Sequence, residues 1–192
     1  MRKRPILKGL TMPIDALTSA PLIIQAHAFS AMAAFALGPI ALLRKRRDIW
    51  HKMAGYVWVM LMFSTALTSM FFSESPMLGP FSVIHILSVI TLAGLTFALR
   101  AALRRDFITH GRAMRALYAQ ALIIPGVFTF LPGRRMNALF GSGQDLAVFW
   151  AALGFGALVM ALIWFHPQLT RAVGLQGKGL RKIPLFFTAA RR

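Results

Sequence analysis

Long apolar stretches, separated by short polar and basic segments, run through this chain. Five of them cover Pro21–Leu43, Met53–Phe72, Phe81–Leu99, Ala116–Leu131 and Leu146–Phe165. A helix of about 20 apolar residues crosses the hydrocarbon core of a bilayer. It also satisfies its own backbone polar groups where no water can reach them. The pattern therefore predicts five membrane-spanning helices. Two carry helix-disturbing pairs, Gly38-Pro39 in the first and Pro125-Gly126 in the fourth, where a kink or local unwinding is expected. Too little polar sequence remains to wrap a soluble core. The fold class expected is all-α, a polytopic membrane helix bundle forming one integral membrane domain over residues 1–192.

Composition agrees with that reading. Hydrophobic residues make up 57% of the 192 positions and charged residues 14%, against roughly 45–50% and about 25% in soluble domains. In a polar chain the net charge of +17 would point to nucleic acid. In so apolar a chain it reads as a topological signal, and no nucleic-acid partner is expected. Lys and Arg number 4 before the first stretch, then 5, 0, 5 and 2 in the successive loops, and 6 after the last. The positive-inside rule places the first loop, the third loop and the tail in the cytoplasm. The N-terminus is then outside and the C-terminus inside, in a bacterial inner membrane with anionic lipid headgroups on the cytoplasmic side. Arg2, Lys3, Arg4 and Lys8 argue against that orientation. The first apolar stretch is longer than a signal peptide's and ends in Arg44-Lys45-Arg46-Arg47, so a retained helix is expected. The basic tail over 167–192, with Leu185-Phe186-Phe187, suits the membrane surface.

Residue types then narrow the chemistry. Without cysteine there are no disulfides, iron–sulfur clusters or thiolate ligands. The carboxylates Asp15, Asp48, Glu74, Asp106 and Asp145 all fall outside the apolar stretches. This removes carboxylate metal sites and acidic proton relays within the membrane. HExxH and GxSxG motifs are missing, which leaves a hydrolase little support. What remains is histidine, at positions 27, 51, 85, 110 and 166.

Four of the five obey a repeat. His27 to His51 is 24 residues and His85 to His110 is 25; His27 to His85 is 58 and His51 to His110 is 59. Arg46-Arg47-Asp48 and Arg104-Arg105-Asp106 each stand 19 to 21 residues after His27 and His85. Ser30 and Ser88 each follow their histidine by three. The spacing predicts a duplicated two-helix hairpin, with one unit over 21–72, a second over 81–132, and an extra, peripheral helix over 146–165. Parallel repeats are related by an axis along the membrane normal. His27 and His85 are then expected at one depth near the outer face. His51 and His110 are expected at the inner edge, roughly 20 Å or more away.

Two imidazole pairs at two depths suit bis-histidine ligation of b-type haem between bundle helices. The expectation is two haem b groups, one held by His27 and His85 and one by His51 and His110. Such a chain would carry single electrons across the membrane from a small reductant, a quinol or a redox partner. Arg46, Arg47, Arg104 and Arg105 at the inner mouth are candidates to attract an anionic reductant, although topology and lipid contact are their plainer use. Each histidine alone also fits a helix cap or a core hydrogen bond. The alternative is therefore a non-redox membrane protein, a small transporter or an assembly subunit, with no haem. His166 lacks a repeat counterpart and is expected at the interface. Met53, Met62 and Met70 read as core packing.

Several motifs fall between Gln25 and Met136. They are His27 with Gly38-Pro39, His51-Lys52-Met53-Ala54-Gly55, Phe81-Ser82-Val83-Ile84-His85, His110-Gly111-Arg112-Ala113-Met114, and Phe128-Thr129-Phe130-Leu131-Pro132-Gly133-Arg134. Together they resemble a bacterial family of predicted membrane proteins, domain of unknown function 2306. That resemblance implies membrane residence and no particular activity. The alternation of His27, His51, His85 and His110, with Arg46 and Arg47 before the second, is similar to the cytochrome b561 group of four-helix, two-haem proteins. This chain lacks that group's His-Pro pair at His27 and its Leu-His-Ser run around His85.

Overall fold

The computed structural model describes residues 18–44, 48–71 and 82–179, with side chains as far as residue 165. Arg46, Arg47, the side chain of His166 and the tail with Leu185-Phe186-Phe187 lie outside the described residues. Among the described residues all regular structure is helical. Helices α1 (Leu22–Leu43) and α2 (Ile49–Thr68, prolonged by a 3-10 turn at Ser69–Phe71) form one hairpin. Helices α3 (Val83–Leu103) and α4 (Phe107–Tyr118) form another. A π turn at Ala119–Ile123 carries α4 into α5 (Ile124–Phe128). The short α6 (Arg135–Phe140) and the long α7 (Leu146–Gly179) complete the described chain.

Four helices have the length and composition to cross a membrane: Leu22–Leu43, Ile49–Phe71, Val83–Leu103 and Leu146–Phe165. The fourth expected span, Ala116–Leu131, is not among them. Its residues as far as Phe128 belong to the run from Phe107 to Phe128, which carries His110, Arg112, Arg115 and Gln120 and is less apolar for that reason. The run is nevertheless central. Its Met114, Leu117, Tyr118, Leu122 and Ile123 are buried in the one core cluster that joins the bundle.

The helices pack as a ring. α1 lies along α2, α2 on α3, α3 on α4, and α4 with its π turn returns to α1. α7 rests outside the ring against α1, α5 and the π turn, and only 11% of its most apolar window is buried. Lipid is as apolar as a leucine side chain, so helices in a membrane associate through close packing and hydrogen bonds. The buried face of α1 is accordingly small, made of Ala28, Ala34, Gly38 and Ala41. On α3 the buried positions His85, Ser88, Thr91, Leu95, Ala98 and Ala101 recur at threes and fours, which traces one seam. Large apolar residues such as Met60, Phe63, Ile86, Val89 and Phe97 point outward. Met62 is 1% exposed and fills the core as expected, whereas Met53 is 51% exposed and does not.

Local chemistry explains the helix ends. Asp48 accepts the backbone N–H of His51 at 3.1 Å, and Asp106 accepts that of Thr109 at 3.1 Å. Both are N-caps, so the second helix of each hairpin starts on an aspartate. The one-residue difference in histidine spacing is visible here. His51 donates its own N–H to the Asp48 carboxylate, whereas His110 donates to the Asp106 carbonyl at 3.0 Å. α3 closes with Arg105 at a φ of 62°, where Arg105 N–H reaches Ala102 O and Asp106 N–H reaches Ala101 O. This left-handed closure usually falls to glycine.

Gly38-Pro39 does not interrupt α1, which runs through it. Proline has no N–H, so the carbonyl of Phe35 loses its helical donor. Tyr118 of α4 supplies a replacement, donating its hydroxyl to Phe35 O at 2.8 Å. One residue earlier, Trp58 of α2 donates Nε1–H to Ala34 O at 3.0 Å. Both aromatic side chains lie fully buried, and Gly38 makes room for them. A Cβ at Gly38 would stand 2.1 Å from Tyr118 Cε2 and 3.1 Å from Trp58 Nε1. Three helices are thereby locked at one point.

A second lock holds the loop from Thr129 to Asp145. Asn137, 0% exposed, donates Nδ2–H to Phe130 O at 2.8 Å and to Asp145 O at 2.7 Å, and accepts Asp145 N–H at 3.0 Å. Its amide joins the end of α5 to the start of α7.

Candidate functional site

The polar side chains inside this bundle gather near its two ends. At one end the start of α1, the end of α2 and the start of α3 meet. His27 donates Nδ1–H to the carbonyl of Thr65 at 2.9 Å, with Thr68 Oγ1 at 3.2 Å from the same nitrogen. A carbonyl only accepts, so the proton sits on Nδ1 and the neutral ring keeps its lone pair on Nε2. Thr68 can accept here because its hydroxyl proton goes to Ser64 O at 2.7 Å. Beside this pair Ser30 of α1 and Ser64 of α2 share a hydrogen bond at 3.1 Å. Ser69 of α2 and Ser88 of α3 share another, both buried.

His85 lies in the same layer with the opposite tautomer. Its Nδ1 accepts the backbone N–H of Ser82 at 3.2 Å and lies 3.1 Å from Ser82 Oγ. In the neutral ring the proton is then on Nε2. His85 therefore closes the first turn of its own helix, whereas His27 ties α1 to α2. The two occupy equivalent places in the sequence repeat and different chemical roles in the fold.

At the far end, His110 in the first turns of α4 donates Nδ1–H to Ala98 O of α3 at 2.9 Å. His51 lies in the first turn of α2, half-buried, with its Nδ1 buried. From His51 to Thr68 along α2 is roughly 25 Å at 1.5 Å per residue, so the ends are well separated. Within each layer the paired histidines stand on helices that are not packed neighbours. His27 is on α1 and His85 on α3, and His51 is on α2 and His110 on α4, so each pair stands on helices at opposite positions of the ring. Between the layers the ring is filled by Trp58, Met62, Leu95, Leu117 and Tyr118.

Charge is concentrated at the His51–His110 end. Arg44 donates Nε–H to Asp48 at 2.9 Å, and this ion pair holds the Asp48 carboxyl well below the usual carboxylate range. Bonding to Thr109 lowers Asp106 in the same way. Arg104 and Arg105 are exposed at the α3–α4 corner. Among the described residues no group of three or more His, Asp or Glu side chains is arranged to hold a metal ion.

Thr65, Thr68, Ser64 and Ser69 are the site residues that the repeat did not reveal. Their signal was present as hydroxyls at spacings of three and four inside an apolar stretch. No curated protein and no solved structure matches the chain. Residues 24–164 match the family model for predicted membrane proteins, DUF2306. The matched stretch holds both histidine layers, the Gly38–Trp58–Tyr118 lock and Asn137. On this match over most of its length, the chain belongs to the DUF2306 family of predicted membrane proteins.

Proposed function

We propose that this chain is a bacterial inner-membrane protein that binds b-type haem between its ring helices and passes single electrons, with His51 and His110 as the ligand pair. His110 carries the reading. By donating Nδ1–H to the Ala98 carbonyl it fixes the tautomer that leaves Nε2 free to bind a metal. Haem-ligating and other metal-binding histidines are oriented by this kind of second bond. His51, in the first turn of α2, is at the same end of the bundle. When bound there, haem would supply one-electron chemistry, fed by a small reductant or a quinol. His110 holds its ring orientation and keeps its own Nε2 unprotonated through the bond to Ala98 O.

The other layer fits on one side only. His27 has the suitable tautomer, but His85 accepts at Nδ1 and holds its proton on Nε2. The His27–His85 pair does not suit bis-imidazole ligation as it stands, and no electron path is drawn through it. The shared capping role of Asp48 and Asp106 supports the duplicated hairpin. We read the run Phe107–Phe128 as a fifth crossing, which puts the N-terminus outside and the C-terminus in the cytoplasm by the distribution of basic residues.

A second reading has its own support. In a haem-free membrane protein the histidines would serve as helix ties and caps, which is what the Ser82–His85 bond does. The optical spectrum separates the two. Full-length protein produced with a haem supply is expected to show a Soret band and a reducible α band. His51→Ala and His110→Ala are expected to lose both bands, and His85→Ala to keep them. A colourless, folded preparation would leave the haem-free reading standing.

A further inference from the structure

The corner between α3 and α4 carries four exposed arginines, Arg100, Arg104, Arg105 and Arg112. Asp106 is the acid in that segment, and its carboxylate is engaged by the N–H of Thr109 at 3.1 Å. The salt bridge seen among the described residues is Arg44–Asp48, which involves none of the four. Arg100 lies in the last turn of α3 and Arg104 is its C-cap, four residues on. Arg105 occupies the left-handed turn, at a φ of 62°, that folds α4 back beside α3. Arg112 follows on α4, near enough for its charge to help keep Asp106 ionised. The corner is therefore a concentration of positive charge with its nearby carboxylate already committed.

Beside these arginines stand bare apolar side chains. Leu103 is 83% exposed and Ile108 is 67% exposed. A site for a soluble anion gains nothing from either. A lipid leaflet accounts for both features at once. The apolar side chains enter the acyl boundary, while guanidinium groups on flexible stems reach the phosphate level. Guanidinium also pairs with phosphate oxygens through two parallel N–H bonds.

We propose that the α3–α4 corner, through Arg100, Arg104, Arg105 and Arg112, binds the headgroup of an anionic phospholipid in the leaflet nearest His51 and His110. This rests on the membrane placement of the chain and not on haem. A headgroup held there pins the turn that positions His110 on Ala98.

The test uses full-length protein reconstituted in vesicles of mixed phosphatidylcholine and phosphatidylglycerol, then extracted in mild detergent. Co-purified lipid is quantified by mass spectrometry. The native chain should retain phosphatidylglycerol well above its share of the vesicle. Each basic side chain near an anionic surface is worth about a fivefold preference. Arg104→Gln/Arg112→Gln should therefore lower the enrichment roughly twenty-five-fold. Arg104→Lys/Arg112→Lys keeps the charge, guards against misfolding as an explanation, and should retain most of the enrichment. Equal phosphatidylglycerol retention by the native and glutamine forms overturns the proposal. So does a native chain that shows no enrichment yet binds inorganic phosphate or a soluble organic anion through these arginines.

Discussion

The Tyr118 hydroxyl should matter because of a proline on another helix. Pro39 leaves the Phe35 carbonyl without its helical donor, and Tyr118 fills the gap at 2.8 Å in a core where it is 0% exposed. Tyr118→Phe keeps the ring and removes only that donor. A buried acceptor left unsatisfied costs about 1–3 kcal/mol, while hydrogen bonds between membrane helices average about 0.6 and reach about 1.7 kcal/mol. We expect a loss of about 1.5 kcal/mol, near the upper membrane value, because no other donor is offered to this carbonyl in the native helix. Pro39→Ala restores an N–H at the right place on α1. In that background Tyr118→Phe should cost only about 0.5 kcal/mol, a coupling of about 1 kcal/mol. The assay is reversible unfolding of the four forms in mixed micelles, read by tryptophan fluorescence and circular dichroism. An equal cost in both backgrounds would refute the link between Pro39 and Tyr118.

Three further outcomes follow from the packing and the caps. Gly38→Ala drives a methyl group into the Tyr118 ring at 2.1 Å and should destabilise by about 2–3 kcal/mol, an overpacking cost visible in the same unfolding assay. Asn137→Leu removes three hydrogen bonds at a fully buried position. It should cost about 2–4 kcal/mol and open residues 129–145 to limited proteolysis. Asp48, Asp106 and Asp145 are each held below the ordinary carboxylate range by hydrogen bonds in the folded chain. Their folded values lie below the unfolded one, so their stabilisation is complete above about pH 4–5 and fades as pH falls further. A melting temperature that rises on acidification below that range would contradict the cap assignments.

The sequence made the helices legible where composition alone decides. Apolar runs of about the length a bilayer requires located α1, α2, α3 and the apolar part of α7. The run Phe107–Phe128 was harder. Its early turns are amphipathic because they sit in the ring and carry arginines at the membrane edge, so hydropathy caught only its later part. Gly38-Pro39 looked like a break because the compensating donor, Tyr118, is far away in sequence. The histidine repeat drew attention to residues at both ends of the bundle, but not to the roles they take there. His27 and His85 occupy the same repeat position, yet one bonds across to α2 and the other back to Ser82. A ring nitrogen's role depends on the neighbour it meets, and spacing does not encode that neighbour. The hydroxyl partners on α2 were readable as a spaced set only once α1 and α3 were known to flank them.

The most direct test of the account is the electron paramagnetic resonance spectrum of haem in the oxidised full-length protein. With His51 and His110 as axial ligands, the native chain should give a low-spin, bis-imidazole signal. His110→Ala should abolish it, and added free imidazole should restore it by occupying the vacated position. Folded protein that takes up no haem, or a low-spin signal unchanged in both His51→Ala and His110→Ala, would contradict the account.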